Sequence, residues 1–264
     1  MKIKHYLYNS YIIESGNKKI AIDPGAEIYF FRLFNTILPK SEWKDMTHIF
    51  VTHGDIDHHW NTDRVAEASN APVICNKTMV KNIEGKTLML GPRDKGLAFT
   101  KPIKKLHTVS VDETIEVDGI LITGVKATHG PVTFKLGPFS KTLHPGPKER
   151  VGWGAIGFKI KFEGKTIVNL GDTLLHEKEC QKIKNPDVLM IPIGGRIIPN
   201  TMNEKEALQA VKIMKPKLVI PCHYNCPAIF SKCYNPADDM MFKEEVEKMG
   251  IECAIMQYGD EIIV

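Results

Sequence analysis

The stretch that decides how this chain is interpreted is Val51-Thr52-His53-Gly54-Asp55-Ile56-Asp57-His58-His59. It begins at the end of a short, nearly all-apolar run, His48–Thr52, which predicts a strand buried on both faces. A helix is predicted to begin near Thr62. Within six residues the stretch carries four side chains that bind metals: His53, Asp55, Asp57 and His58. Imidazoles and carboxylates crowded at one loop repel or desolvate each other unless a cation neutralises them, so the stretch predicts a divalent metal site.

Three more metal-competent side chains each follow a predicted strand. They are His129 after Ile120–Ala127, Asp172 after Thr166–Leu170, and His223 after Leu218–Pro221. Groups placed just past strand ends can converge along one edge of the sheets while staying distant in sequence, and rigid strands hold them in place. These seven side chains suffice for two metals.

The rest of the pattern begins rich in strands and then becomes α/β. Further strands are predicted at Lys2–Leu7, Tyr11–Glu14, Lys19–Ile22, Pro72–Cys75, Thr87–Leu90 and Val188–Ile193, with hairpins formed by Thr108–Val117 with Ile120–Ala127 and by Trp153–Phe162 with Thr166–Leu170. Helices are predicted from Asn203, as N-cap, and over Pro236–Met249. Gly25–Lys44 and Gly130–Arg150 fit no regular pattern and are interpreted as loops at the rim of a site. No repeat or linker interrupts residues 1–264, so we expect one domain.

Composition excludes several classes of protein. The chain has 264 residues, is 43% hydrophobic and 25% charged, and carries a formal net charge of +4, which excludes a disordered or fibrous protein. No apolar run reaches the roughly 18–20 residues that a membrane span needs, and the N-terminus lacks the pattern of a secretory signal. We therefore expect a cytoplasmic protein with no membrane partner. The small basic excess forms no stripe, so nucleic acid is not the expected partner.

The order of these motifs resembles the metallo-β-lactamase superfamily. Thr-His-x-Asp-x-Asp-His is followed by Thr-His-Gly, Gly-Asp-Thr and Pro-x-His-Tyr, and the match covers nearly the whole chain. With the Ile193-Gly194-Gly195 … Thr201-Met202-Asn203 segment it is similar to the ascorbate-6-phosphate-lactonase-like metal-dependent hydrolases. The resemblance implies a four-layer αβ/βα sandwich, in which two mixed sheets pack face to face with helices outside, and a dinuclear metal site at one edge.

The resemblance also implies how the ligands are divided. His53 and His129 would hold the first metal, Asp57, His58 and His223 the second, and Asp172 would bridge both. This chain has Asp55 where the family motif has a second His. Asp55 can ligate the first metal or orient a histidine, and a carboxylate ligand shifts the expected metal from zinc towards manganese or iron.

Other residues are weaker candidates. His144, Arg196 and His59 could contact an anionic small-molecule substrate; the alternatives are a solvated loop histidine, an exposed arginine near a turn and an exposed histidine at a helix start. Asp23 resembles a family turn residue that supports the site, or is only a turn residue. Cysteines 222, 226 and 233 surround His223, but their spacing matches no closed zinc pattern, so reduced thiols are favoured.

The expected chemistry is metal-assisted hydrolysis. Two divalent metals would activate a shared water against a lactone, ester or phosphodiester, and Asp57 would protonate the leaving group while Asp172 bridges the metals. Asp55 also resembles the carboxylate variant of flavodiiron proteins, so an iron-dependent oxidoreductase is an alternative. A non-catalytic binding protein is a further alternative, which the nearly complete ligand set disfavours. The sequence does not predict the oligomeric state.

Overall fold

The computed structural model describes residues 1–28, 35–89, 101–136, 139–146, 151–227, 233 and 235–264. The chain divides into two compact units. The first comprises Met1–Ser110, Gly146–Gly154 and Gln257–Val264, and the second comprises Val111–Pro145 and Ala155–Met256. Each unit contains one seven-stranded sheet. The single domain expected over residues 1–264 stays a prediction.

The sheet of the first unit joins an antiparallel half to a parallel half. Its strands are β1 (Lys2–His5), β2 (Tyr11–Ser15), β3 (Lys18–Ile22), β4 (His48–Val51), β5 (Val73–Asn76), β8 (Leu106–Val109) and β18 (Glu261–Ile263), and a separate hairpin pairs β6 (Val80–Ile83) with β7 (Lys86–Met89). The order is β18-β1-β2-β3-β4-β5-β8, antiparallel as far as β3 and parallel beyond it. All four residues of β4 are buried, as its apolar run predicts.

Two α-helices follow β4. They are α1 (Ile56–His59) and α2 (Thr62–Ser69), and α2 ends at Asn70 in the left-handed conformation that commonly stops a helix. The predicted start near Thr62 is confirmed, but α1 shows that part of the metal-binding stretch is a helical turn and not a loop. Short 3₁₀ helices cover Lys40–Asp45 and Lys77–Met79. The first of these lies at the end of the segment predicted to be irregular, of which residues 29–34 lie outside the described residues.

The sheet of the second unit follows the same plan. Its strands are β9 (Thr114–Val117), β10 (Ile120–Lys126), β13 (Ile156–Phe162), β14 (Lys165–Asn169), β15 (Val188–Pro192), β16 (Leu218–Cys222) and β17 (Glu252–Cys253), and β11 (Val132–Leu136) pairs with β12 (Phe139–Leu143) as a hairpin. The order is β17-β16-β15-β14-β13-β10-β9. Strands β9, β10, β13 and β14 are antiparallel neighbours, while β14 to β17 run parallel.

Both predicted hairpins of this unit are present with tight turns. Asp118 and Gly119 have φ values of +49° and +81°, and Glu163 and Gly164 have +49° and +70°. Two central residues with positive φ are typical of the type I′ turn, whose twist matches that of the strands it joins. The predicted strand Thr108–Val117 is wrong in one respect. Its first residues belong to β8 of the other sheet, and the chain turns at Asp112, where φ is +65°.

Three helices, α3 (Glu177–Lys182), α4 (Glu204–Met214) and α5 (Asp239–Lys248), complete the second unit. The Asn203 side chain accepts hydrogen bonds from the backbone N–H groups of residues 205 and 206, and the Glu206 carboxylate accepts from the Asn203 N–H. This capping box satisfies donors that a helix start leaves unpaired, so the predicted N-cap is confirmed. The helix predicted over Pro236–Met249 begins at Asp239, because Asp238 caps it.

The core of the second unit lies between its parallel strands and these helices. All residues of β15 and β16 are buried. Ala207, Val211 and Met214 of α4 and Phe242 and Val246 of α5 pack in one cluster with the strand residues. Among the helices in the described ranges, none is long and apolar enough to cross a membrane.

Candidate metal centre

In the first unit, the end of β4 and the helical turn α1 bring four candidate ligands together. The chain leaves β4 through Thr52 and His53, and α1 then carries Asp57 and His58, which are both buried. The turn at Gly25 packs directly against this segment, since a Cβ atom at Gly25 would collide with the backbone carbonyl of Asp57. The Ala26 N–H donates to the Ile56 carbonyl at 3.0 Å. Gly25 is therefore required for the close approach of the two loops.

Asp23 holds the ligand loop from behind. It is fully buried, and its Oδ2 accepts from the Asn9 amide at 2.7 Å, the Thr52 hydroxyl at 2.7 Å and His58 Nδ1 at 2.8 Å, while its Oδ1 accepts from the Thr52 backbone N–H at 2.7 Å. A carboxylate at Nδ1 fixes the ring so that Nε2 is the ligand nitrogen. Asp23 therefore orients His58 and is more than a turn residue.

His53 is fixed by the same network. Its Nδ1 lies 3.1 Å from the Thr52 hydroxyl, and that hydroxyl donates its own proton to Asp23. The hydroxyl oxygen therefore accepts from His53 Nδ1. The rings of His53 and His58 lie 3.9 Å apart between centroids.

Each of these two histidines faces a carboxylate through Nε2. His53 Nε2 lies 3.4 Å from Asp55 Oδ2, and His58 Nε2 lies 3.4 Å from Asp57 Oδ2. The other oxygen of Asp55 accepts from the Gly152 backbone N–H at 2.9 Å, which sets the carboxylate in place. Asp55 thus presents Oδ2 beside His53, as a ligand of the same metal would.

In the second unit, Asp172 stands between two histidines. Its Oδ2 lies 3.1 Å from His223 Nε2 and 3.7 Å from His129 Nε2, and all three residues are buried. His129 Nδ1 donates to the Gly130 carbonyl at 2.6 Å. His223 follows β16 with a φ of +52°, and its Nδ1 lies 2.8 Å from the side-chain amide nitrogen of Asn235. One carboxylate oxygen close to two imidazoles is the arrangement expected of a bridging ligand.

The donor atoms fit a divalent metal. Two ligand atoms about 2.1 Å from one ion, at 90–110° to each other, lie roughly 3.0–3.5 Å apart. The four pairs of imidazole nitrogen and carboxylate oxygen lie 3.1–3.7 Å apart. In His53, His58 and His129, moreover, the ring nitrogen turned away from the carboxylate contacts a hydrogen-bond acceptor, as in histidines that bind metals.

The weaker candidates are placed differently. His59 is buried, so its interpretation as an exposed histidine is wrong; its Nδ1 donates to the Asp55 carbonyl at 2.9 Å. Burial lowers the pKa of His59, against the opposing effect of that carbonyl. His144 is exposed just beyond β12. The prediction that Gly130–Arg150 is irregular is wrong for much of the segment, because β11 and β12 form a hairpin there; residues 137–138 and 147–150 lie outside the described residues. Contact of either histidine with substrate stays a prediction.

Arg196 already binds a carboxylate. Its Nη2 donates to Glu204 Oε1 at 2.5 Å and its Nε to Oε2 at 3.4 Å. Glu204 is buried and also accepts from the Asp238 N–H at 2.8 Å, so this ion pair joins the starts of α4 and α5. Contact of Arg196 with substrate stays a prediction.

The cysteines lie outside the candidate ligand groups. None of the six forms a disulfide, and Cys226 Sγ donates to the Tyr224 carbonyl. Burial raises the pKa of Cys75 and of Cys253 to about 12. Within the described ranges, no cluster of three potential metal ligands contains a cysteine. The interpretation of the thiols as reduced structural side chains stays a prediction.

Sequence reasoning missed two residues of the centre. The Thr52 hydroxyl links Asp23 to His53, because it donates to the Asp23 carboxylate and contacts His53 Nδ1, and Asn235 contacts His223. Thr52 directly precedes His53 in the quoted stretch, and a hydroxyl residue next to a candidate ligand could have indicated this supporting role. Asn235 lies twelve residues beyond His223 in a segment without pattern, so nothing local indicated its contact.

Comparisons with known proteins show the family of this chain. Residues 2–223 match the beta-lactamase superfamily domain. A UPF0173 metal-dependent hydrolase of Nanoarchaeum equitans is 30% identical over 267 residues, which cover 99% of both chains. Another, of Pelotomaculum thermopropionicum, is 32% identical over 266 residues, again 99% of both.

Solved structures support the same fold. Igni18, a metallo hydrolase of Ignicoccus hospitalis, superimposes with a TM-score of 0.69 at 21% identity, covering 99% of this chain and 97% of its own. CmlA, a diiron β-hydroxylase of Streptomyces venezuelae, superimposes with a TM-score of 0.66 at 13% identity, covering all of this chain and 54% of its own. The expected fold class is confirmed. The chain belongs to the metallo-β-lactamase superfamily and is a metal-dependent hydrolase.

Proposed function

We propose that the two ligand groups act together and hold two divalent ions, with His53, Asp55 and His129 at one position, Asp57, His58 and His223 at the other, and Asp172 bridging them. The proposed substrate is a small molecule with a lactone, ester or phosphodiester bond. The observation that carries this proposal is the pairing in each unit of buried imidazole Nε2 atoms with carboxylate oxygens at 3.1–3.7 Å. The net charge of +4 favours anionic substrates modestly.

The protein side chains have separate tasks in this reaction. Divalent ions held here supply Lewis-acid charge and lower the pKa of water towards 7, which makes it a nucleophile at neutral pH. Asp57 lies at the start of α1 with a mostly buried carboxylate, and it takes the proton that the attacking water releases and passes it to the leaving group. Asp23 and Thr52 keep His58 and His53 oriented throughout, so the ligand geometry does not have to be rebuilt in each turnover.

Asp55 bears on the identity of the metal. An anionic oxygen is a harder ligand than an imidazole nitrogen, so Asp55 makes the first position favour manganese or iron over zinc. The Gly152 N–H on the other oxygen of Asp55 supports monodentate ligation through Oδ2. We therefore propose manganese or iron as the native metal, with zinc as a competitor.

The experiment is elemental analysis of the purified protein, followed by assays of lactones, esters and phosphodiesters with the identified metal. His58→Ala and Asp172→Ala should abolish turnover while the far-ultraviolet circular dichroism stays unchanged. His107→Ala, which removes an exposed histidine from β8, is the matched control and should retain full activity. Undiminished turnover in either ligand variant contradicts the proposal.

The same carboxylate supports a second candidate, an iron-dependent oxidoreductase. Asp55 is the observation that favours it, because a carboxylate-rich site suits iron. Anaerobic purification followed by metal analysis and ultraviolet–visible spectra separates the two. Stoichiometric iron with oxygen-sensitive absorption, together with no hydrolysis of any substrate in the panel, would favour the oxidoreductase.

A further inference from the structure

The four histidines of the centre differ in what their Nδ1 atoms contact. His58 Nδ1 meets the Asp23 carboxylate, His53 Nδ1 the Thr52 hydroxyl oxygen, and His129 Nδ1 the Gly130 carbonyl. Each of these neighbours accepts a hydrogen bond, which keeps the ring proton on Nδ1 and leaves the Nε2 lone pair for a metal. His223 Nδ1 instead lies 2.8 Å from the amide nitrogen of Asn235, which is a donor.

The orientation of the Asn235 amide follows from its other contacts. Its Oδ1 accepts from the Cys226 backbone N–H at 3.2 Å, and its Nδ2 donates to the His223 backbone carbonyl. A backbone N–H can only donate and a carbonyl can only accept. Rotating the amide by 180° would therefore set nitrogen against the Cys226 N–H and oxygen against the His223 carbonyl. Because both contacts would be lost, the amide is held with its nitrogen towards His223.

Contacts with other described residues hold Asn235 in place. Its side chain is fully buried, and its backbone carbonyl accepts from the Asn225 N–H at 2.8 Å. Gly194 lies against the pair, since a Cβ atom there would collide with the His223 carbonyl and with the Asn235 side chain. Asn235 and His223 are thus fixed against each other by surrounding backbone.

With a donor at Nδ1, the proton of the neutral His223 ring resides on Nε2. Asp172 Oδ2 lies 3.1 Å from Nε2, close enough to accept a hydrogen bond from this proton. A metal takes the ring nitrogen that carries no proton. Ligation through Nε2 requires the proton on Nδ1, where it would face the N–H of Asn235.

We infer that Asn235 is a positioning residue that keeps the proton of His223 on Nε2 and thereby weakens metal binding at the position that His223 serves. The inference rests on the proposed role of His223 as a ligand. It makes the two metal positions unequal, with the one that contains Asp55 filled first. Asn235→Asp replaces the donor with an acceptor of the same shape, moves the proton to Nδ1 and exposes the Nε2 lone pair.

The first test is the tautomer of His223 in metal-free protein. Long-range ¹H–¹⁵N correlation spectra distinguish the two neutral tautomers, and His223→Gln assigns the signals. We expect the Nε2–H form in the wild type and the Nδ1–H form in Asn235→Asp. The Nδ1–H form in the wild type would overturn the inference, and this measurement stands even if the variant does not fold.

The second test is metal affinity, measured by equilibrium dialysis with Mn²⁺ and with Zn²⁺. Asn235→Asp should tighten the weaker of two binding events by about 10–100-fold. Gln257→Glu is the control, since it makes the same change from amide to carboxylate at an exposed position and should leave both affinities unchanged. Unchanged or weaker metal binding in Asn235→Asp would contradict the inference that Asn235 lowers metal affinity. If His223→Gln binds both ions like the wild type, the proposed ligand role fails, while the tautomer result still decides the role of Asn235.

Discussion

Substitution of Asp23 by asparagine tests whether the ligand loop depends on the carboxylate behind it. Asp23 accepts four hydrogen bonds at 2.7–2.8 Å in a fully buried position. The amide that Asp23→Asn introduces keeps only one accepting oxygen, so at least one of these donors then faces a second donor. A buried unpaired donor costs about 1–3 kcal/mol, and the remaining bonds lose the assistance of the charge. Relief of the cost of burying a charge offsets part of this, so we expect a loss of about 2–4 kcal/mol in the free energy of unfolding.

The assay compares the metal-free proteins by urea denaturation at pH 7, followed by metal binding of the folded forms. We expect Asp23→Asn also to lose metal affinity by about 10–100-fold, because His58 is no longer held in its ligand tautomer. Asp45→Asn is the control, since that side chain is 71% exposed, and it should change neither quantity. Stability within about 0.5 kcal/mol of the wild type, together with full metal affinity, would refute the reasoning.

Three further predictions concern positions away from Asp23. Gly194→Ala should destabilise the protein by about 3 kcal/mol in urea denaturation, because its Cβ would meet the backbone carbonyl of His223. Glu42→Gln should lower the free energy of unfolding by about 1 kcal/mol near pH 7, since the hydrogen bond from Lys19 lowers the pKa of Glu42 from 4.5. This stabilisation is present above pH 4.5 and is lost as the pH falls through the lower pKa of the folded state. The free energies of unfolding of wild type and variant should therefore converge at low pH. Asn203→Ala should cost about 1 kcal/mol by removing a helix cap, measured by thermal or urea unfolding.

Each of these has a distinct contradicting result. A Gly194→Ala protein as stable as the wild type would mean that the neighbouring backbone yields freely. A Glu42→Gln difference that persists unchanged at about pH 2–3 would show that its cause is not the ion pair. Loss of the cap without any change in stability would mean that solvent replaces the Asn203 side chain at no cost.

The sequence predicted the parts of the fold that local pattern determines. The two hairpins of the second unit, the buried strand β4 and the cap at Asn203 all depend on residues close in sequence. The break at Asp112 was missed, because the strands before and after it alternate in the same register and no glycine or proline separates them. The helical turn α1 was missed because four residues are too few to show a helical period.

The candidate ligands were predictable because they lie in segments that follow strands. Of their supports, Asp23 was suggested only by the family resemblance, and Asn235 by no pattern. Asp23 reaches His58 across 35 positions and Asn235 reaches His223 across 12, so both contacts arise only when the strands are paired. The direction of a hydrogen bond also cannot be predicted from the sequence. Which nitrogen of His223 carries a proton depends on the contacts of Cys226 with the Asn235 amide.

The glycine at position 25 has a consequence for how this chain can evolve. Gly25 touches no candidate ligand through a side chain, yet any larger residue would collide with the backbone of Asp57. In a library of single substitutions selected for growth, this position should tolerate change as poorly as the metal ligands themselves. A ranking of residues by mutational tolerance would then place Gly25 among the catalytic groups, although its contribution is only the space it leaves empty.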